Sequence, residues 1–352
     1  MRNGMFDMKK TILITGGAGF IGSNFVRYMY TNYPEYRMLI LDALTYAGNI
    51  ENFPININEK LDDRFTFWYG NVRNGELVDT LVSQSDIVVH FAAETHVTRS
   101  IYDNFLFFET DVMGTQTVAN AVVKYRDRIE KFIHISSSEV YGTAQTPLMD
   151  EDHPLVPMSP YASAKAGADR LVHSYWLTYE VPVTIIRPFN NYGPYQHLEK
   201  AVPRFCTSCI LDEPIRVHGD GSASRDFVFV GDLCNALDLV VKADSDKVSG
   251  EVFNVATGVD HSILSIARDV VTMMGKDESL ITFVGERPGQ VFRHTGDSAK
   301  INSVLGWEPK TDWKTGLRTT IEWYKENKKW WDKQLWMRSV PIITKRGTKE
   351  FH

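Results

Sequence analysis

The sequence predicts an α/β protein: a doubly wound parallel sheet of the Rossmann type, followed by a smaller C-terminal lobe. Three observations carry that expectation. Short apolar, β-rich runs alternate with helical patterns through the first half of the chain. A glycine triplet stands where the first run gives way to the first helix, and after Pro188 the texture changes to loops punctuated by glycine and proline. Alternation of this kind marks parallel strands joined by right-handed helical crossovers.

The elements follow in order. TILITGG, FIGSNFVRYMYTNYP and RMLILDA read as strand, helix and strand; RFTFWYG, an ELVDTLVS helix and DIVVHFAAE continue the series. An amphipathic stretch from Asn104 to Tyr125 leads to KFIHISS, a helix over Tyr161–Tyr179 and the strand PVTIIRP. Residues 8–188 are therefore expected to form a dinucleotide-binding domain and 189–340 mainly a substrate-binding lobe. Strands near 226–256, in DFVFVGDL and EVFNVAT, are expected to return to the main sheet, and WYKENKKWWDKQLW reads as a C-terminal helix.

Composition limits the partners. At 352 residues the chain can bury a large core. A net charge of −6 argues against a nucleic-acid surface, which needs clustered Lys and Arg to track phosphates. No apolar run reaches the roughly 18 residues of a membrane span, and MRNGMFDMKK has no apolar signal core, so a cytoplasmic protein is expected. Cys206 and Cys209 form a C-x-x-C with no second ligand pair behind it, and the 10 histidines include no H-x-x-x-H pair. Buried structural thiols, and no metal site, are expected.

The glycines carry the first chemistry. In TILITGGAGFIGSNFV, Gly16 permits the tight turn, Gly19 lets backbone approach a pyrophosphate, and Gly22 allows close helix–strand packing. The helix that opens there presents oriented N–H groups to phosphate. Asp42, 20 residues beyond Gly22, ends the next strand, where a carboxylate holds an adenosine ribose through its hydroxyls. The same carboxylate repels a 2′-phosphate, so NAD is favoured over NADP.

The second constellation lies downstream. Tyr161-Ala-Ser-Ala-Lys165 puts a phenol and an ammonium one helical turn apart on a shared face. A phenol is a poor base at neutral pH; a neighbouring cation stabilises its phenolate and makes it useful. The strand-end serines of Ser136-Ser137-Ser138-Glu139 precede it, Ser137 by 24 residues.

With these motifs the chain resembles the extended short-chain dehydrogenase/reductase family, and most closely its nucleotide-sugar 4,6-dehydratase and epimerase members. The resemblance runs through TGGAGFIGSNFV, AAETHVTRSI, SSSEVYG, SPYASAK, RPFNNYGPYQHLEKAVPRF, GDGSASRDFVFVGDL, ERPG and LGWEPK, in the family's order. It implies that Tyr161 deprotonates the sugar 4-hydroxyl while NAD takes the C4 hydride. Lys165 would bond the nicotinamide ribose and lower the phenol pKa, and Ser137 would share the proton network. It also implies that Phe20, Ile21, Asn71, Val72 and Ala92 belong to the cofactor site. His96, Asn190, Glu199, Lys200, Arg225 and Arg287 would face the nucleotide sugar, Asn190 and the two arginines at its diphosphate. Family members are commonly homodimers, paired through the helices near Asn104–Tyr125 and Tyr161–Tyr179.

Glu139 separates the subfamilies. Epimerases only rotate a ketone, whereas a carboxylate beside Ser137 suits abstraction of the C5 proton, loss of the C6 hydroxyl and formation of a 4-keto-6-deoxy sugar. The dTDP-glucose enzymes carry Asp-Glu where this chain has Ser138-Glu139, and Ser138 could only position a water or the leaving hydroxyl. Thr98, Asn71 and Val259 depart from the same enzymes in THVTRS, GNVRN and NVATGVD. SSSEVYGTAQ with SPYASAKAGAD looks most like dehydratases of nucleotide-linked N-acetylglucosamine, so UDP-N-acetylglucosamine is the first expected substrate and dTDP-glucose the next. A 4-epimerase or a UDP-glucuronate decarboxylase is the alternative.

Overall fold

The computed structural model describes residues 10–59, 62–285 and 290–338, and the backbone of 341–343 and 349–351. The first half runs β1 (Lys10–Thr15), α1 (Phe20–Asn32), β2 (Tyr36–Asp42), β3 (Phe65–Tyr69), α2 (Gly75–Val82) and β4 (Ile87–His90). Next come α3 (Val97–Tyr102), α4 (Asn104–Phe107), α5 (Thr115–Lys124), β5 (Lys131–Ile135), α6 (Pro160–Tyr179) and β6 (Val183–Pro188). Helix starts follow local chemistry. Asn74 caps α2 by accepting from Leu77 N–H, and Ser159 caps α6 by accepting from Ala162 N–H, with Pro160 in the first turn.

The main sheet has seven parallel strands in the order β10-β6-β5-β4-β1-β2-β3, where β10 is Val252–Val255. Its central strands are apolar on both faces because helices cover both sides. Ile12, Ile14, Ile40, Val89 and Ile133 join one core, while Leu13, Leu39, Leu41, Val88 and Phe132 join the other, as the period-2 alternation of strand side chains requires. The chain builds outward from β1 through β2 and β3, then restarts at β4 and builds the other way. Crossovers therefore diverge between β1 and β4, leaving a crevice at their carboxyl ends.

Most of the remaining elements build the lobe: β7 (Asn190–Tyr192), α7 (Ala201–Leu211), β8 (Ile215–His218), β9 (Ser224–Phe229), α8 (Val230–Lys242) and α9 (Ser245–Val248) precede β10. After it come β11 (Asp260–Ser262), α10 (Ile263–Met273), β12 (Ile281–Val284), β13 (Arg293–His294), α11 (Ala299–Leu305), α12 (Trp313–Glu326) and α13 (Lys328–Trp331). The exceptions are α8, α9 and α11, which pack on the main-sheet core through Leu237, Val248 and Ile301. The lobe's own core gathers Tyr192, Phe205, Cys206, Cys209, Leu317 and Trp331. Both thiols are buried there, and Trp330 Nε1 ties the chain's end to the first half by donating to Asn52 Oδ1 at 2.8 Å.

Three expectations need adjustment. EVFNVAT returns to the main sheet as β10, but DFVFVGDL does not. Its strand β9 pairs with β7, β11 and β13, and its buried Asp226 accepts from Thr257 and Gly258 N–H of the lobe. The stretch Asn104–Tyr125 is not one uniform helix, because Phe108–Gly114 widens into a π-helical segment that buries Asp111. The C-terminal helix breaks at Asn327, between α12 and α13. Among the described residues no helix is long and apolar enough to cross a membrane.

Candidate active site

The crevice deepens into one cavity of about 450 Å³ that runs from the glycine turn to the lobe. At the first end lie Gly16, Gly19, Phe20, Ile21 and Gly22, with Asp42, Asn71, Val72 and Ala92 along the wall. Gly16 has φ +69°, and a Cβ there would sit 2.6 Å from Ala92 N. A Cβ on Gly22 would stand 2.2 Å from Gly16 O, so neither position admits a side chain. Gly19 caps α1 without any side-chain bond to the first-turn N–H groups. Those donors have no intrahelical acceptor and face the cavity, the arrangement a pyrophosphate takes up. Asp42 is buried and accepts from Ala18 N–H (2.9 Å) and Leu44 N–H (2.8 Å), which fixes its carboxylate at the rim. Burial raises its pKa against those two bonds. The residues present fit a dinucleotide.

The chemical centre lies where β5 ends. Ser137 caps a 3₁₀ turn over Ser138–Tyr141, accepting from Glu139 N–H at 3.2 Å, and Ser137, Glu139, Tyr161 and Lys165 all line the cavity. Burial raises the Tyr161 pKa; a hydrogen bond with Ser137 opposes that, and the charges of Asp111 and Glu139 add to it. Lys165 Nζ donates to Ile135 O at 2.6 Å, so here its ammonium is held on the strand end rather than on the phenol. Burial lowers the Lys165 pKa, while Asp111 and Asp169 oppose the shift. Ser138 departs from expectation. It is 1% exposed and does not line the cavity, because the 3₁₀ turn points it into the wall while Glu139 faces in.

The substrate-lobe end holds His96, Asn190, Glu199, Lys200 and Arg225. Arg225 Nε lies 4.0 Å from Glu139 Oε1, which links a predicted diphosphate residue to the predicted base. Glu199 accepts from Tyr46 OH at 3.0 Å and sits among Arg99, Lys200, His96 and His197, all within 3.8 Å. Burial alone would raise the Glu199 pKa, yet His96, Lys200, His197 and Arg99 together hold it below the ordinary carboxylate value. Arg287 lies outside the described residues.

Sequence reasoning missed part of this end. Arg204, Arg216 and Arg338 also line the cavity, and burial together with the other two arginines brings the Arg204 pKa down to about 10. Arg204 and Arg216 stood inside AVPRF and PIRVHGDG, where a basic residue beside a glycine-rich loop was the available signal. Arg338 had none. Asp111 was also missed: its Oδ1 accepts from Glu94 N–H at 2.8 Å, and burial raises its pKa against the pull of Lys165.

A dinucleotide cradle that ends on serine, tyrosine and lysine beneath one parallel sheet defines the class, an extended short-chain dehydrogenase/reductase. Residues 13–320 match the family described as GDP-mannose 4,6 dehydratase, and the chain belongs to that family. It is 42% identical over 313 residues to the low-salt glycan biosynthesis protein Agl12 of Haloferax volcanii, covering 89% of this chain and 98% of that one. It is 38% identical to the dTDP-glucose 4,6-dehydratase of Streptomyces niveus, covering 91% and 94%. Among solved structures it matches DesIV, a dTDP-glucose 4,6-dehydratase from Streptomyces venezuelae with NAD and TYD bound. That match has TM-score 0.87 and 37% identity over 92% of this chain and 99% of that one.

Proposed function

We propose that the protein is an NAD-dependent nucleotide-sugar 4,6-dehydratase, a hydro-lyase that turns an NDP-hexose into its 4-keto-6-deoxy derivative. The observation that carries this reading is the position of Glu139, a carboxylate two residues beyond Ser137 in the cavity that Tyr161 and Lys165 also line. NAD, when bound, would supply the hydride acceptor for C4 and the hydride donor for C6. The glycine turn and the first turn of α1 would hold its pyrophosphate, Asp42 its adenosine ribose, and Asn71 and Val72 its adenine end. Tyr161, bonded to Ser137, takes the proton of the sugar 4-hydroxyl.

Oxidation at C4 acidifies the C5–H bond, and Glu139 removes that proton. The C6 hydroxyl then leaves as water with the proton held by Glu139, since Ser138 is buried off the cavity, and C5 regains a proton drawn from solvent through Glu139 once hydride reaches C6. Arg225, Asn190 and Lys200 would hold the diphosphate side of the substrate, with Arg204 and Arg216 beyond them.

On the Ser138-Glu139 pair, UDP-N-acetylglucosamine is the first substrate and dTDP-glucose the second; the relatives named as dTDP-glucose enzymes support keeping the latter in the comparison. A homodimer is part of the same reading. Phe105, Phe108, Met113, Leu177 and Tyr179 stand exposed on α4, the π segment and α6, an apolar face of the kind a second copy covers. Product mass after incubation with UDP-N-acetylglucosamine, dTDP-glucose, GDP-mannose and UDP-glucuronate tests the function. Loss of water from one of them is expected. An isomer of unchanged mass, or loss of carbon dioxide, would overturn it.

A further inference from the structure

Behind the cavity wall, one buried ion pair reaches every element that carries a reacting group. Asp169 follows Tyr161 and Lys165 on α6 at two successive one-turn steps, and is fully buried. Its Oδ2 accepts from Arg187 Nε (2.9 Å) and from Ser136 Oγ (2.7 Å), and its Oδ1 accepts from Arg187 Nη2 (2.9 Å). Arg187, 2% exposed on β6, also donates through Nη1 to Tyr141 OH at 2.9 Å, and Tyr141 OH donates to Asn254 Oδ1 at 2.8 Å. Asn254 is the register partner of Arg187 across the sheet, so the far end of the chain of bonds is anchored in β10. Burial alone would neutralise Asp169; its bonds with Arg187 hold its pKa well below the carboxylate range.

The consequence is geometric. Tyr141 closes the same 3₁₀ turn that carries Glu139, braced by Val140 N–H to Ser137 O and by Gly142 N–H to Glu139 O. Asp169 fixes α6 and therefore Tyr161 and Lys165, while Ser136 precedes Ser137 on β5. A single guanidinium thus joins the turn of the C5 base to the helix of the C4 base. Resting on the dehydratase reading, we propose that Arg187 and Asp169 are positioning residues that set Glu139 relative to Tyr161, and that the Tyr141 hydroxyl is the branch that reaches the turn of Glu139 directly and α6 only through Arg187. Two proton transfers at adjacent positions, one from the C4 hydroxyl oxygen and one from C5, need two bases in fixed relation, and displacement of one by about 1 Å can cost on the order of 100-fold in rate.

The branches can be cut separately. Tyr141→Phe keeps the ring against His153 and Phe189 and removes only the hydroxyl. With the substrate that the wild type dehydrates, NADH absorbance after mixing reports C4 oxidation, and deuterium uptake at C5 with product mass reports elimination. In Tyr141→Phe, C4 oxidation should stay within about 3-fold of wild type while elimination falls about 10- to 100-fold, so that bound NADH accumulates. Asp169→Asn, which touches both branches, should slow both steps. Parallel slowing of the two steps in Tyr141→Phe, or no change in either, would overturn the assignment. A wild type that loses water from no nucleotide sugar would instead overturn the dehydratase reading.

Discussion

Burial of His90 makes a quantitative prediction about acid. The ring lies fully buried beneath the active site, Nδ1 2.7 Å from Thr15 Oγ1 and Nε2 3.0 Å from Thr115 Oγ1, its centroid 5.5 Å from that of the tilted His134 ring. Burial, reinforced by the Lys165 charge, brings its pKa down to about 3. The folded value is below the unfolded one, so the unfolded chain binds a proton that the native state refuses. Stability from this group is complete above about pH 6.5 and falls as pH drops toward the folded value. From pH 7 to pH 5 the loss is about 2 kcal/mol, and it scarcely changes if the folded pKa is nearer about 4. The whole protein sums terms of both signs, because burial pushes Asp226 up to about 6, which favours acid. The clean measurement is therefore a difference. Urea unfolding of wild type and His90→Gln, followed by tryptophan fluorescence at pH 7, 6 and 5, should show the wild type's stability relative to the variant falling by about 2 kcal/mol over that range. A difference that stays constant across the three pH values would refute the argument that His90 is buried neutral.

Two further outcomes follow from the cofactor end. Gly22→Ala places a methyl 2.2 Å from Gly16 O, so retention of NAD, read by absorbance of the purified protein and by titration, should be lost without a matching loss of far-UV circular dichroism. Asp42→Asn removes the charge that would face a 2′-phosphate, and the ratio of NAD to NADP affinity should move toward NADP on the order of 100-fold, measured by fluorescence titration of both cofactors.

The dinucleotide half was legible because local rules and tertiary structure agree there. Apolar runs of strand length alternate with helices, and the glycines at 16 and 22 are demanded by contacts that a Cβ would violate. The lobe was less legible. β9 reads as a sheet-core strand, yet its partners are the short strands β7, β11 and β13, and no local pattern announces such pairing. The π segment hides in FETDVMG, whose apolar spacing is that of an ordinary helix. Of the site, most of the residues that touch the cavity were visible as motifs, while Arg338, which lines it, and the buried Asp111 were not. The Asp169–Arg187 pair was invisible for a physical reason: 18 residues apart, the two charges look like solvated surface residues until α6 and β6 pack together. Ser138 shows the opposite failure, since a motif position implied a role that the local turn geometry does not support.

Glu139→Gln in deuterated water tests the central claim most directly. With the nucleotide sugar that the wild type dehydrates, the variant should still generate bound NADH, because Tyr161, Ser137 and Lys165 are untouched. It should incorporate no deuterium at C5 and release no dehydrated product. Deuterium uptake at C5 at the wild-type rate in that variant would show that Glu139 is not the base.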